Sequence, residues 1–192
     1  MTMKVSLVIS TLNRVQTLER FLEHLDQQNY ENFEVIIVDQ NDDDRLIPLI
    51  DYYQDKFTIL HIHSARGVSR GRNTGIKKIS GDLVAFPDDD CWYEADLLAR
   101  VVNLFTEHPE LDVISGRTVD AKGHTSLGRF RLRSGLVTRR NVFNSGNTNS
   151  FFFQRKVVER INFDESLGPG AGSKWGSGEE TDYLLNAMQM GF

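Results

Sequence analysis

Three consecutive carboxylates, Asp88, Asp89 and Asp90, are the residues of this sequence whose types and spacing point most directly to chemistry. Adjacent carboxylates repel one another unless a cation or a set of hydrogen-bond donors compensates their charge. Mg²⁺ and Mn²⁺ prefer oxygen ligands and commonly complete their coordination with substrate phosphates. The run therefore predicts a metal site that shares its ion with a phosphate-bearing substrate. A solvated acidic turn before the next helix is the alternative interpretation.

Asp39 and Asn41 form a second polar group, after a predicted strand over 33–38. A carboxylate at the end of a strand can accept hydrogen bonds from a base or a ribose, as it does in dinucleotide-binding folds. A structural role is also available, because Asp44 is suited to cap the following helix and its charge favours the helix N-terminus. The two interpretations do not exclude each other.

Glu179, Glu180 and Asp182 open the last predicted helix, over 179–190, directly after a glycine-rich loop. The helix dipole favours acidic residues in the first turn, so one interpretation is purely structural. The other is general-base catalysis, in which the charge of one glutamate raises the pKa of its neighbour.

Residues 67–71 match the G-x-S-x-G pattern of a nucleophile elbow, with Ser69 as the nucleophile. An elbow carries its serine directly after a strand, whereas a polar stretch intervenes here. The other members of a triad would be Asp88 with His108 or His124, and neither histidine follows a predicted strand. We favour Ser69 as the N-cap of the next helix, with an α/β hydrolase as the alternative.

His61 and His63 share one face of a predicted strand and could form part of a metal site. Because the sequence identifies no third ligand, an exposed or packed strand face is the favoured interpretation.

Trp175 lies in the glycine-rich loop 168–178, where an exposed ring could bind the apolar face of a sugar. Core packing is the alternative for this tryptophan.

Alternating strand and helix patterns position these residues. Short runs rich in β-branched residues predict buried strands over 5–9, 33–38, 57–62, 83–86 and 113–114. Apolar residues spaced three and four apart predict helices over 15–28, 46–53, 69–79, 94–107 and 179–190. This alternation predicts a mostly parallel sheet with ligands at the carboxyl ends of its strands. Residues 117–154 lack helical periodicity, and the stretches 130–132 and 150–153 predict antiparallel strands.

Composition bounds the class of protein. The 192 residues carry a net charge of −5, are 40% hydrophobic and include one cysteine, Cys91. The negative charge argues against broad binding of nucleic acid or anionic lipid, and one cysteine can form neither an internal disulfide nor a cysteine-based zinc site. No apolar run reaches the ~20 residues of a transmembrane segment. We therefore expect a single globular, cytoplasmic domain.

In order and spacing, the motifs resemble those of glycosyltransferase family 2. The resemblance covers nearly the whole chain and is carried by residues 5–14, 37–39, 67–69, 72–76, 81–82, 86–90, 163–165 and 178–182. Residues 88–90 are similar to the family's DXD element. The loop of the G-x-S-x-G match is similar to a loop of the family itself, which argues against the elbow interpretation.

The resemblance implies an α/β fold of the GT-A type, which is Rossmann-like: a mostly parallel sheet with helices on both faces and a smaller antiparallel part in the second half. It implies one catalytic domain over 1–192, with a nucleotide-binding half over 1–116 and an acceptor-binding half over 117–192. The implied activity is metal-dependent, inverting transfer of a sugar from a nucleotide-sugar donor, usually a UDP-sugar, to a hydroxyl acceptor. The acceptor would be a glycan or a lipid-linked molecule in polysaccharide synthesis. The implied cofactor is Mn²⁺ or Mg²⁺, and the implied location is the cytoplasm, with peripheral association at the inner face of the membrane also compatible.

The resemblance also distributes roles among the residues. Glu180 matches the general base, and Glu179 is the alternative because the family usually has aspartate where Glu180 stands. Asp90 would hold the metal together with Asp88. The acceptor side would include Trp175 and Asp182. The residues assigned to nucleotide binding are Thr11, Asn13, Arg14, Asp39, Asn41, Arg66, Arg72, Asn73, Asp88 and Asp89.

Three other functions stay open at this point: the hydrolase with Ser69, a non-catalytic nucleotide-sugar-binding module, and a nucleotidyltransferase. The departure at Glu180 is what favours the binding module, and the lack of a glycine-rich basic loop near the N-terminus argues against the nucleotidyltransferase. The chain ends at Phe192, where members of the family normally continue, so a catalytic core of a longer protein is also an open interpretation.

Overall fold

One six-stranded sheet forms the centre of the protein. The computed structural model describes residues 2–126, 130–131 and 133–192. Its strands are β1 (Val5–Thr11), β2 (Phe33–Asp39), β3 (Thr58–His63), β4 (Leu83–Ala85), β5 (Val113–Ser115) and β6 (Phe151–Gln154). They lie in the order β3-β2-β1-β4-β6-β5. The first four pair in parallel, and β6 is antiparallel to both of its neighbours.

Helices cover both faces of the sheet, as the sequence predicts. They are α1 (Val15–Asp26), α2 (Ile47–Tyr53), α3 (Val68–Ile76), α4 (Leu97–Glu107), α5 (Arg155–Val158) and α6 (Glu179–Gln189). Because successive side chains of a strand point to opposite faces, Leu7 and Ile9 of β1 pack with α1, α2 and α4, whereas Val8 packs with α3, α5 and α6. None of these described helices combines the length and the apolar character that a membrane-spanning helix needs.

The antiparallel part of the sheet is its β6 strand, which lies between β4 and β5. Phe152 of this strand joins the apolar cluster on one face, and Phe151 and Phe153 join the cluster on the other. The antiparallel strand predicted over 150–153 is therefore confirmed. In the second predicted stretch, Phe130 and Arg131 lie outside any strand, and Leu132 is not among the described residues.

Two glycines bring helix α3 unusually close to strand β1. A Cβ atom on Gly71 would lie 2.2 Å from Ser10 Oγ, and one on Gly75 would lie 2.3 Å from Val8 Cγ1. Larger residues at these positions would push the helix away from the sheet. The second glycine of the G-x-S-x-G match is thus explained by packing.

The bounds of three helices differ from the sequence prediction. Helix α3 covers Val68–Ile76 rather than 69–79. Helix α2 begins at Ile47 with Leu46 as its N-cap. The prediction of Asp44 as the cap is wrong, because this residue contributes only its main-chain carbonyl, which accepts from the amide of Ile47 at 3.0 Å. Helix α4 begins at Leu97, three residues later than its apolar spacing predicts, and Asp96 is its N-cap.

Candidate functional site

The candidate site lies at the edge of the sheet where parallel strands β1, β2 and β4 end. Thr11 and Asp39 are direct partners in the pairing of β1 with β2. The Thr11 hydroxyl donates a buried hydrogen bond of 2.6 Å to Asp89, in the segment after β4. These two contacts bring the first and second acidic groups predicted from the sequence to the same edge.

Asp39 is held rigidly in the first part of the site. Its side chain is 1% exposed, and its Oδ1 accepts from the main-chain N and the Nδ2 of Asn41 at 2.8 and 2.7 Å. Its Oδ2 lies 3.0 Å from His61 Nε2. The carboxylate therefore has a fixed orientation at the end of strand β2.

A short network of polar residues continues from Asn41 toward solvent. Asn41 Oδ1 accepts from the amide of Asn13 at 2.7 Å, and Asn13 has a positive φ of 60°. Arg45 donates to Asn13 Oδ1 at 2.7 Å. Arg66 lies over the same loop and pairs with exposed Asp42 at 2.8 Å. The structure thus brings together four residues predicted to bind a nucleotide (Thr11, Asn13, Asp39 and Asn41), with Arg66 at their rim.

The three consecutive aspartates have different environments. Asp89 is buried and accepts from Thr11 and from Arg14, and burial raises the pKa of its carboxyl although the charge of Arg14 opposes this. Asp90 is exposed and accepts from the same guanidinium of Arg14. Asp88 is half-buried, with 41% of its side chain exposed, and accepts from Arg72 at 3.0 Å. Asp89 therefore braces the loop, and Asp88 and Asp90 present carboxylates to the solvent.

The donor set of this loop fits a hard divalent cation. Oxygen ligands that are few in number and open to solvent are typical of Mg²⁺ and Mn²⁺ sites completed by phosphate. The guanidinium of Arg14 lies against Asp89 and Asp90 and compensates part of their negative charge. Asp88 and Asp90 are the residues that could hold the ion.

Glu179 and Glu180 lie at the start of helix α6, after Gly178 as its N-cap. Glu179 is 6% exposed, and its Oε1 accepts from Arg72 at 3.2 Å. Its Oε2 is buried and has no hydrogen-bond partner within the described part of the chain. Glu180 is half-buried, and both burial and the negative charge of Glu179 raise the pKa of its carboxyl. A raised pKa is suited to a general base.

Arg72 connects the glutamates to the aspartates. Its side chain is 3% exposed, and its guanidinium contacts both Glu179 and Asp88. The same group lies 5.2 Å from the ring centroid of Phe163. Although the sequence groups Arg72 with nucleotide-binding residues, its contacts are with the protein's own acidic side chains.

Asn73 likewise serves the protein in this structure. Its Nδ2 donates to the carbonyl of Phe163 at 2.9 Å, and its Oδ1 accepts from the amide of the same residue at 2.8 Å. It also donates to Glu165 at 3.2 Å. Asn73 therefore fastens the loop at 163–165 to helix α3.

Among the described residues, no hydrogen bond joins Trp175 to Asp182, the two residues predicted on the acceptor side. Trp175 is 57% exposed, as its glycine-rich surroundings predict, and Lys174 Nζ lies 4.8 Å from its ring centroid. Asp182 accepts from Asn186 at 2.9 Å on helix α6. Burial and the charge of Asp164 raise the pKa of Asp182.

Ser69 is not exposed as a nucleophile. It is buried, and its hydroxyl donates to the carbonyl of Leu167 at 2.9 Å. Its predicted role as an N-cap is also wrong, because Gly67 is the N-cap of helix α3. Gly67 has a φ of +124°, which glycine adopts without strain.

Two buried residues that the sequence analysis missed hold the loops of the site. The side chain of Gln40 accepts from the amide of Gly67 and donates to its carbonyl, at 3.2 and 2.9 Å. Asn149 accepts from the amide of Asp88 at 2.6 Å. The position of Gln40 directly after a strand is a weak sequence signal for a role at the site. No sequence signal indicates such a role for Asn149.

The histidine pair has the third potential ligand that the sequence did not identify. Among the residues that the structure describes, one group of three side chains could hold a metal ion, namely Asp39, His61 and His63. They come together because β2 and β3 pair in parallel with Asp39 opposite His63.

Comparison with known proteins gives the architecture a context. S. aureus TarS in complex with UDP-GlcNAc has a TM-score of 0.79 at 21% sequence identity, over 96% of this chain and 53% of that chain. The mannosyltransferase PcManGT from Pyrobaculum calidifontis, in complex with GDP-Man and Mn²⁺, has a TM-score of 0.71 at 17% identity, over 100% of this chain and 54% of that chain. These likenesses establish a GT-A fold.

Sequence relatives agree with the fold. A "PGL/p-HBAD biosynthesis glycosyltransferase" of Mycobacterium bovis (strain BCG / Pasteur 1173P2) is 30% identical over 160 residues, which are 81% of this chain and 61% of the relative. A "Glucosyl-dolichyl phosphate glucuronosyltransferase" of Haloferax volcanii is 32% identical over 126 residues, which are 61% of this chain and 39% of the relative. The chain thus spans less than two thirds of either relative.

A sequence profile described as "Glycosyl transferase family 2" matches residues 6–165. That range contains β1 from its second residue, all of β2 to β6, Asp39 and the acidic run 88–90, whereas Asp182 and the two glutamates of helix α6 lie beyond it. The match covers most of the chain and agrees with the fold and with the relatives. The chain therefore belongs to glycosyl transferase family 2.

Proposed function

We propose that this protein is a metal-dependent, inverting glycosyltransferase that moves a sugar from a UDP-sugar to a hydroxyl acceptor in glycan or polysaccharide synthesis. The observation that carries the proposal is a continuous chain of contacts along one edge of the sheet. It leads from Asp39 through Thr11 to Asp89, and from Asp88 through Arg72 to Glu179. A nucleotide sugar has its groups in the matching order: base, diphosphate and reacting sugar.

The base and ribose would bind in the first half of the chain, over 1–116. The fixed carboxylate of Asp39 is an acceptor for a ring N–H, which uracil and guanine both offer and adenine lacks. Asn13 and Arg66 lie beside it and could contact the ribose or the phosphates. We assign the ribose contact to Asp88, whose side chain is 41% exposed.

Mn²⁺ or Mg²⁺, held by Asp90 with Asp88, would stabilise the negative charge that develops on the leaving diphosphate. Arg14 has a related task in the protein itself. Its guanidinium lies between Asp89 and Asp90, so it reduces the repulsion within the acidic run when no other cation is near.

The acceptor hydroxyl would transfer its proton to Glu180 as its oxygen attacks the anomeric carbon. The bond between that carbon and the diphosphate oxygen breaks in the same displacement, so the configuration inverts and no enzyme nucleophile is needed. Glu180 is favoured over Glu179 for this role because it is partly open to solvent and its pKa is raised. Glu179 is buried and bonded to Arg72, which suits a positioning role.

The acceptor would bind in the second half, over 117–192, where exposed Trp175 precedes helix α6 in the chain and Asp182 lies in its first turn. We propose a glycan or lipid-linked acceptor, in part because the Haloferax volcanii relative is named for a dolichyl phosphate substrate. A lipid-linked acceptor would bring the protein to the cytoplasmic face of a membrane as a peripheral protein.

A donor-screening assay tests the proposal. The chain is incubated with UDP-GlcNAc, UDP-glucose or GDP-mannose and Mn²⁺, and release of the free nucleotide is measured with and without EDTA. We expect a UDP-sugar to release UDP, and we expect this release to be lost with EDTA and in Glu180→Gln. Proton NMR should show that the product has the inverted anomeric configuration. Release that is unaffected by both EDTA and Glu180→Gln would contradict the proposal.

Ser69→Ala separates this function from the hydrolase. We expect it to leave sugar transfer largely intact, because the Ser69 hydroxyl is buried against Leu167. Ester hydrolysis that disappears in Ser69→Ala would instead favour the α/β hydrolase. UDP binding without any turnover, in the wild type and in both glutamate variants, would favour the binding module.

A further inference from the structure

A carboxylate and two imidazoles meet on one face at the edge of the sheet. Strand β3 is an edge strand, and its pairing with β2 puts His63 opposite Asp39 and His61 opposite Ile37. Because alternate side chains of a strand share a face, both imidazoles lie on the side of the Asp39 carboxylate. Each of the three residues offers one ligand atom, and these three atoms all lie within 4.8 Å of one another.

The donor atoms already approach the spacing of a tetrahedral site. Asp39 Oδ2 lies 3.0 Å from His61 Nε2, and two ligands of a tetrahedral Zn²⁺ with bonds near 2.0–2.1 Å are roughly 3.3 Å apart. The two imidazole rings have centroids 4.9 Å apart. Closing the third side of the triangle therefore requires only side-chain movement of His63, which is exposed.

The surroundings of Asp39 are compatible with metal binding. Asn41 donates twice to Asp39 Oδ1, which fixes the carboxylate and leaves Oδ2 directed at the imidazole. Partners of this kind orient metal ligands and strengthen binding. The combination of two imidazoles with one carboxylate favours Zn²⁺, Ni²⁺ or Cu²⁺ over Mg²⁺.

We propose that Asp39, His61 and His63 form a second metal site, for a transition-metal cation such as Zn²⁺, separate from the acidic run at 88–90. We further propose that an ion in this site prevents donor binding. This second statement rests on the proposed function, in which the Asp39 carboxylate accepts from the nucleobase. Because Asn41 already donates twice to Oδ1, the ion and the base would compete for Oδ2, so Zn²⁺ would inhibit where Mn²⁺ supports.

Calorimetric titration with Zn²⁺ alone tests the site itself, at a pH above the ordinary histidine pKa. The double variant Asp88→Asn/Asp90→Asn removes binding to the acidic run. In this background we expect one Zn²⁺ per chain, and we expect His63→Gln or His61→Gln to weaken binding at least tenfold. His124→Gln and His108→Gln are matched controls, because these exposed histidines each lie beside one carboxylate, and we expect no effect. Equal Zn²⁺ affinity in the four histidine variants would overturn the site.

Competition with UDP tests the second statement on the wild-type chain. We expect saturating Zn²⁺ to weaken UDP binding at least tenfold, and to have no such effect in His63→Gln. Simultaneous binding of Zn²⁺ and UDP with unchanged affinities would overturn the competition. The metal site and the competition can fail separately. If UDP does not bind even without Zn²⁺, the proposed function and the competition are both overturned. The Zn²⁺ titration still decides the metal site in that case.

Discussion

Arg72 donates to Glu179 at 3.2 Å, although the two residues are 107 positions apart in the sequence. The other terminal nitrogen of the same guanidinium donates to Asp88 at 3.0 Å. A buried cation thus fixes the start of helix α6 relative to the acidic loop after β4. In the proposed reaction, helix α6 carries the general base, and the acidic loop carries the carboxylates nearest the leaving diphosphate.

Removal of Arg72 should destabilise the fold. In Arg72→Met, Glu179 keeps a buried charge without its partner, and breaking a buried ion pair in this way typically costs about 3–5 kcal/mol. We expect the free energy of unfolding, measured by urea denaturation, to fall by about 3 kcal/mol. The double variant Arg72→Met/Glu179→Met should recover part of the loss because both charges are gone.

The matched control for this experiment is Arg66→Gln. Arg66 also pairs with an aspartate, Asp42, but both side chains are exposed to solvent. Surface pairs contribute little to stability, so the control should leave unfolding nearly unchanged. Equal losses in Arg72→Met and Arg66→Gln would contradict the structural role of Arg72.

Glu180 should act as the base. We expect Glu180→Gln to lower kcat by roughly 10²–10⁴-fold while the KM for the donor changes little. Glu180→Asp should retain more activity than Glu180→Gln because the carboxylate is kept. A loss in Glu179→Gln that exceeds the loss in Glu180→Gln would reverse the assignment of the two glutamates.

The pH profile gives an independent test of the same pair. A general base works when it is deprotonated, so kcat falls as the pH drops through its pKa. Burial and the charge of Glu179 raise the pKa of Glu180, so the fall should begin at a higher pH than an ordinary glutamate would give. Glu179→Gln removes one of the two causes, and its residual activity should therefore fall at a lower pH than wild type. An acid limb at the same pH in both proteins would count against the coupling.

Arg14 should compete with the divalent cation. Its guanidinium contacts Asp89 and Asp90, so the ion must displace it from Asp90. We expect Arg14→Gln to bind Mn²⁺ several-fold more tightly than wild type in the absence of nucleotide, as measured by calorimetry. Arg45→Gln is the control, because Arg45 pairs with Asp43 away from the acidic run. Weaker Mn²⁺ binding in Arg14→Gln would refute the competition.

Glu34 should make folding stability depend on acid pH. Burial raises the pKa of this carboxyl, but donors from Lys4, Ser6 and Ser80 outweigh it and lower the pKa from 4.5 to about 2. The stabilisation is therefore complete above pH 4.5 and is lost as the pH falls toward 2. In Glu34→Gln, stability measured by denaturation should be lower at neutral pH and flatter across this acid range. Glu159→Gln, which removes an exposed partner of Arg155, should keep the wild-type slope.

Local patterns in the sequence predict much of this fold. The β-branched runs locate β1, β2 and β4, and the spacing of apolar residues locates α1, α4 and α6, because burial on one or both faces determines which residues are apolar. The polar residues that follow these strands then necessarily meet at one edge. This is why the sequence alone predicts that Asp39 and the acidic run belong to one site.

Long-range relationships could not be predicted in the same way. Nothing local indicates that β6 enters the sheet between β4 and β5, since that order depends on which phenylalanines fill which face. The bridging role of Arg72 and the assembly of Asp39 with two histidines depend on register and packing between distant segments. The two wrong N-caps, Asp44 and Ser69, show that residue type alone does not fix where a helix begins.

The central claim is that one site joins nucleobase recognition at Asp39 to metal binding at Asp90. The most direct test is calorimetric titration of UDP, GDP and dTDP, each with and without Mn²⁺. We predict that UDP binds most tightly, that Mn²⁺ strengthens its binding, and that Asp90→Ala abolishes this enhancement without abolishing metal-independent binding. Equally weak affinity for all three nucleotides, unchanged by Mn²⁺, would contradict the proposed site.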